Sequence, residues 1–141
     1  ASVVFKWQVA GLAAQIYESH RTDFDDSRTL GVITPYRSQI ALIKKEIEAL
    51  GIPALNRILV DTVERFQGSE RDVIIYSCCI NSYYQLKFVS NLTEENGVLI
   101  DRKLNVALTR ARKQMFVTGV PKYLKSNPLY ESLLNLIETQ G

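Results

Sequence analysis

The pattern of apolar and polar positions divides the chain into short alternating segments. Phe5, Val9, Leu12, Ala13, Ile16 and Tyr17 recur at helical spacing, which predicts a helix over residues 5–19 with one polar face. The polar, acidic stretch from His20 to Arg28 reads as a loop. Leu30 to Thr34 reads as a buried strand stopped by Pro35. A second helix is predicted over Ser38 to Leu50, with Ile40, Leu42, Ile43, Ile47 and Leu50 inward, Gly51 to end it and Pro53 to prevent its resumption. A strand is expected near Ile58 to Val63, followed by a polar stretch from Glu64 to Asp72. Val73 to Ile80 is apolar at both alternating sets of positions, as in a strand covered on both sides.

Residues 81–100 read as an insertion loop carrying Tyr83, Tyr84 and Phe88. Asp101 can cap a helix running to about Ala111, with Leu104, Ala107, Leu108 and Ala111 inward. Gln114 to Val120 is the fourth predicted strand, Pro121 opens a short turn, and residues 129–139 form a closing helix. Strands alternating with helices predict an α/β fold, a mainly parallel sheet covered on both faces, and a single domain over residues 1–141.

Composition narrows the function classes. The 141 residues include 46% hydrophobic and 23% charged, with a net charge of +2, the values of an ordinary globular domain. No apolar run approaches the ~20 residues of a membrane span, and the amphipathic N-terminal stretch lacks a basic leader. The only cysteines, Cys78 and Cys79, are adjacent within an apolar run, which excludes a disulfide framework and leads us to expect a reducing, cytoplasmic setting. They read as buried strand residues, so an enzyme acting through either has little support. The single histidine, His20, lies beside a polar stretch, and no cluster of partners is visible for a metal site.

In a parallel sheet, ligands gather at the carboxyl ends of the strands. That rule singles out three segments. Pro35 to Gln39 follows a strand and opens a helix, whose free N–H groups suit phosphate, with Arg37 and Gln39 as added donors. A helix cap with a solvated Arg37 accounts for the same residues. Asp61 to Asp72 offers a hydroxyl, an amide, one glycine and carboxylates after a strand, as would a ligand-holding loop or a solvated turn. In Asp101 to Lys113, five of thirteen residues are Lys or Arg against one Asp. At ~100° per residue, Arg110 falls away from the apolar stripe of that predicted helix and can reach outward, though a solvated basic face is equally served.

Three of these stretches resemble a known family. Val60-Asp61-Thr62-Val63-Glu64-Arg65-Phe66-Gln67-Gly68-Ser69-Glu70-Arg71-Asp72-Val73-Ile74 is similar to motif V of superfamily 1 helicases. Leu104-Asn105-Val106-Ala107-Leu108-Thr109-Arg110-Ala111-Arg112 is similar to their motif VI, and Gly31 to Tyr36 with Gln39 resembles the surroundings of motif IV. Within that family the chain most resembles the 5′-to-3′ group that includes an RNA-decay helicase and a DNA-replication helicase-nuclease.

The resemblance implies a second, C-terminal RecA-like domain. ATP with Mg2+ would lie between it and the first RecA-like domain of the same polypeptide, with single-stranded DNA or RNA across both and no membrane partner. It makes Arg110 the arginine finger and Glu70 the acidic residue nearest the nucleotide. Gln67 and Gly68 would position that loop, and Arg112 would hold it or assist at phosphate. Thr62, Tyr36, Arg37 and Gln39 would face the nucleic acid. Two departures matter. The family's further phosphate-contacting arginine is not found in Val4-Phe5-Lys6-Trp7, where either Lys6 stands in for it or the match starts too late to include it. The chain also has no Gly-Lys dipeptide and therefore no G-x-x-x-x-G-K-[ST] loop, so the expectation is a domain without ATPase activity of its own. A stand-alone RecA-like binding or regulatory module is the alternative.

Overall fold

The computed structural model describes residues 2–6, 9–66, 68–78, 103 and 106–119. Five strands are present: β1 (Ser2–Lys6), β2 (Leu30–Thr34), β3 (Leu59–Thr62), β4 (Arg71–Ser77) and β5 (Ala111–Thr118). They form one sheet in the order β1-β5-β4-β2-β3, and every pairing is parallel. Helix α1 spans Val9–Ser19, and α2 spans Ile40–Glu48 after a 3-10 turn at Arg37–Gln39. Gly51 adopts φ 69° just beyond α2, a conformation that glycine reaches without steric cost.

The first predicted helix begins too early. Ser2–Lys6 is a strand paired to β5 from Ser2↔Gln114 to Lys6↔Thr118, and the helix starts at Val9. Phe5 is four residues before Val9, which counted it into the helical stripe, but the open edge of β5 takes up this run as strand. The predicted basic helix ends early for a similar reason. Residues 106–109 are helical, Arg110 N–H closes a turn on the Ala107 carbonyl at 3.0 Å, and Ala111 already pairs with Arg71. Arg112 and Lys113 therefore lie on β5. The apolar strand expected at 73–80 is β4, shifted to Arg71–Ser77, with Cys78 buried just past its end. Cys79, the predicted loop at 81–100, the cap at Asp101 and the closing helix lie outside the described residues.

Because side chains alternate along a strand, the sheet has two apolar faces. On one, Leu30, Val32, Val60, Val73 and Ile75 pack in a single core cluster with Val9, Leu12, Ala13 and Ile16 of α1 and Ile43 and Ile47 of α2. Ile33, Ile74, Tyr76, Met115 and Val117 alternate with these or with their register partners and are also buried, as are Phe66 and Ala107. Central strands apolar on both faces are what a doubly covered parallel sheet demands. Parallel pairing also gives the sheet two unlike ends. At the carboxyl end, β2, β3, β4 and β5 finish on Thr34, Thr62, Ser77 and Thr118. The amino end holds Arg71 and Ala111, and at ~3.3 Å per residue the length of β4 separates the two ends by about 20 Å.

Candidate functional site

The carboxyl end is built around the turn that follows β2. Thr34 Oγ1 accepts from Tyr36 N–H at 3.2 Å and from Gln39 Nε2 at 2.9 Å, and the same amide donates to the Cys78 carbonyl at 3.2 Å. Gln39 is fully buried and Tyr36 nearly so. For Gln39 the expected contact with nucleic acid gives way to an internal role: its side chain holds the turn against the end of β4 and, fully enclosed, has no face left for a strand, while Tyr36 joins the turn through its backbone N–H. Arg37 is exposed beside them, and Thr62 is half-buried one strand away, with its N–H on Asp61 Oδ1 at 2.8 Å. Lys103 Nζ donates to the Pro35 carbonyl at 3.2 Å and lies 4.0 Å from Glu64 Oε1.

From Thr62 the chain crosses to the opposite end of the sheet in a few residues. A 3-10 turn at Glu64–Phe66 buries the Phe66 ring completely. Gly31 makes room for it, since a Cβ there would come within 2.8 Å of Phe66 Cζ. Ser69 N–H returns to the Phe66 carbonyl at 2.9 Å, and Gly68 has φ 78°, where a side chain would be strained. Gln67 lies outside the described residues. Glu70 is then exposed at the amino end of β4.

There Arg71 N–H donates to the Arg110 carbonyl at 2.9 Å, which ties the residue after Glu70 directly to Arg110. Arg110 is half-buried, its Nε makes no hydrogen bond, and it enters no salt bridge among the described residues. Arg112 differs in this respect. Its Nε donates to Asp72 Oδ1 at 3.0 Å and its Nη2 to the Arg28 carbonyl at 3.3 Å, so it holds the loops at this end. Lys113 lies 3.9 Å from the same Asp72 carboxylate.

Sequence reasoning assigned no role to Arg71, Phe66 or Lys103. Arg71 Nη1 donates to the Glu70 carbonyl at 2.9 Å, and its guanidinium lies 5.9 Å from the centroid of the Phe66 ring, within cation–π range. Burial pulls its pKa down, as does the neighbouring Arg112, against an opposing pull from Asp25 and Asp26. The one legible signal for Phe66 is the glycine in β2 that accommodates it. For Lys103 only its place in a basic run could have drawn attention.

The carboxyl-end rule grouped all three predicted segments at one place. The structure divides them: Arg37, Thr62, Glu64 and Lys103 gather at the carboxyl end, while Glu70, Arg71, Arg110 and Arg112 gather at the amino end. The cause is the parallel pairing, which puts the start of β4 and the start of β5 together at the edge opposite the end of β3.

An α/β domain with a five-stranded, all-parallel sheet, an arginine that enters no salt bridge among the described residues and a turn-rich opposite edge has the architecture of a RecA-like domain. The comparisons with known proteins give its family. The family described as "AAA domain" matches residues 5–122, and the chain belongs to it. The chain is 35% identical over 121 residues to the probable helicase MAGATAMA 3 of Arabidopsis thaliana, covering 84% of this chain and 14% of that protein. It is 39% identical over 110 residues to the regulator of nonsense transcripts 1 of Dictyostelium discoideum, covering 75% and 8%. With the DNA replication ATP-dependent helicase/nuclease JHS1 of Arabidopsis thaliana it shares 30% identity over 132 residues, 94% of this chain and 9% of that protein. The chain thus spans a small part of the length of these relatives. Among the described residues no helix is long and apolar enough to cross a membrane.

Proposed function

We propose that residues 1–141 form the second motor domain of an ATP-dependent helicase of the 5′-to-3′ branch, operating in a reducing, cytoplasmic compartment. The observation that carries this reading is the meeting of Glu70 and Arg110 at one end of the sheet, joined through the Arg71–Arg110 backbone hydrogen bond of 2.9 Å, with Arg110 left without an ion-pair partner among the described residues. A half-buried guanidinium that enters no salt bridge among the described residues keeps its charge for a phosphoryl group. Arg110 acts as the arginine finger toward ATP and Mg2+ held mainly by a first RecA-like domain. Glu70 faces the nucleotide, Gly68 and Gln67 shape the loop, and Arg112 fixes that loop through Asp72. Bound ATP supplies the phosphoryl group and the energy of its hydrolysis. This chain's part is to orient charge at that group.

Single-stranded DNA or RNA runs over the carboxyl end, where Thr62 and Arg37 contact phosphates and Tyr36 and Gln39 keep the turn in shape. The absence of a Gly-Lys phosphate loop favours a domain that hydrolyses nothing alone. Turnover by the 141-residue chain itself would contradict this.

The test uses the longer polypeptide that carries this chain. ATPase rates are measured without nucleic acid, with single-stranded DNA and with single-stranded RNA, for the wild type and Arg110→Ala. Stimulation in the wild type and a fall of about 10³–10⁵-fold in the variant are expected for a finger of this kind. An Arg110→Ala protein as fast as wild type would overturn the assignment. No stimulation by either polymer would leave a RecA-like binding or regulatory module instead.

A further inference from the structure

We propose that Arg71 is a positioning residue that holds Glu70 and Arg110 in fixed relation to each other, an inference that rests on the function just given. The peptide unit between Glu70 and Arg71 is fastened on both of its polar sides. Its N–H, that of Arg71, donates to the Arg110 carbonyl at 2.9 Å. Its carbonyl, that of Glu70, accepts from Arg71 Nη1 at 2.9 Å. A peptide unit is a rigid plane. The Arg71 side chain therefore sets the tilt of that plane, and with it the direction in which the exposed Glu70 side chain leaves the backbone. A cation on the carbonyl also polarises the peptide, which strengthens the N–H bond to Arg110 on its far side.

The guanidinium that does this is itself held. Its carbon lies 5.9 Å from the centroid of the fully enclosed Phe66 ring, within cation–π reach. Its stem passes over β2 where Gly31 leaves space, since a Cβ there would lie 3.1 Å from Arg71 Cγ. Arg71 thus touches Phe66, Glu70 and Arg110 directly, with no residue between.

Packing alone does not account for an arginine here. Nε is enclosed and makes no hydrogen bond among the described residues, and the side chain enters no salt bridge among them. An enclosed donor left unpaired is a cost. Burial and the neighbouring Arg112 both act against the charge, with Asp25 and Asp26 favouring it. An apolar side chain would cover Phe66 without these costs. What the guanidinium adds is the hold on the Glu70 carbonyl.

The experiment uses the longer polypeptide with single-stranded nucleic acid present. It compares wild type, Arg71→Met, Arg71→Lys, Arg110→Ala and the double variant of Arg71→Met with Arg110→Ala. ATPase kcat and KM are measured, with single turnovers at excess enzyme for the slow variants. Arg71→Met keeps the stem and loses the head. Its kcat/KM should fall about five- to tenfold, the effect of one charge-assisted hydrogen bond open to water. Arg71→Lys keeps a charged donor for the carbonyl and should stay within about threefold of wild type. In the Arg110→Ala background, Arg71→Met should cost no more than about twofold, because one of the two groups it aligns is gone. A residue that only stabilised the fold would lower the rate by the same factor in both backgrounds, since it removes folded enzyme from each, and that result would overturn the proposal. So would an Arg71→Met protein as fast as wild type, or an Arg71→Lys protein no better than Arg71→Met. An Arg110→Ala protein as fast as wild type would instead refute the helicase reading, and the proposal with it.

Discussion

Gly31→Ala is the sharpest probe of how the loop from Thr62 to Arg71 is seated. A Cβ at this position would lie 2.8 Å from Phe66 Cζ, 3.0 Å from Phe66 Cε1 and 3.1 Å from Arg71 Cγ, inside the 3.4–4 Å of ordinary contact. Phe66 is fully enclosed and cannot swing away without pulling its turn off the sheet. Overpacking of this kind costs about 1–3 kcal/mol, which for a domain of this size lowers Tm by roughly 3–10 °C. Unfolding of the 141-residue chain in urea, followed by circular dichroism, should show a lower midpoint at an unchanged slope.

The compensating change is Phe66→Leu, which shortens the side chain at the point of collision. Alone it should cost about 1–2 kcal/mol as a large-to-small core substitution. Combined with Gly31→Ala it should cost less than the sum, by at least about 1 kcal/mol of coupling. A Gly31→Ala chain within ~0.5 kcal/mol of wild type, or strictly additive effects, would refute this account of why β2 carries a glycine facing the loop.

Three further outcomes follow from the core and the amino end. Tyr76 is fully buried with an O–H that makes no hydrogen bond among the described residues, so Tyr76→Phe should stabilise by about 1 kcal/mol, read from the same urea midpoints. Burial pushes the Tyr76 phenol well above its ordinary 10.0, so above that pH the unfolded chain releases a proton that the folded chain keeps. The stability of the wild type should therefore be level through this group below pH 10.0 and decline above it, and Tyr76→Phe should remove that part of the decline. Asp72→Asn takes the carboxylate from Arg112 at 3.0 Å and Lys113 at 3.9 Å. With Arg112 37% and Lys113 72% exposed, the cost should be about 0.5–1 kcal/mol at low salt and should shrink as salt is added.

Local pattern determined much of this domain. The strands β2, β3 and β4, the helices α1 and α2, and their parallel arrangement were all legible, because each apolar face repeats with the period of its element. The family resemblance was legible too, since Gln67 to Glu70 and Leu104 to Arg112 carry residue types in a fixed order. The tertiary structure alone decided what those residues meet. Ser2–Lys6 is a strand because β5 offers it an edge, and no five-residue apolar run announces that. Gln39 is polar and follows a strand, yet it is spent inside the turn because Thr34 and the Cys78 carbonyl take both its amide protons. Glu70 and Arg110 are forty residues apart and share an end of the sheet, while Thr62, only eight residues from Glu70, lies at the other. Periodicity records which face of an element is buried. Which strand starts beside which, and so which charges stand together, is set by pairings between distant segments that no local pattern contains.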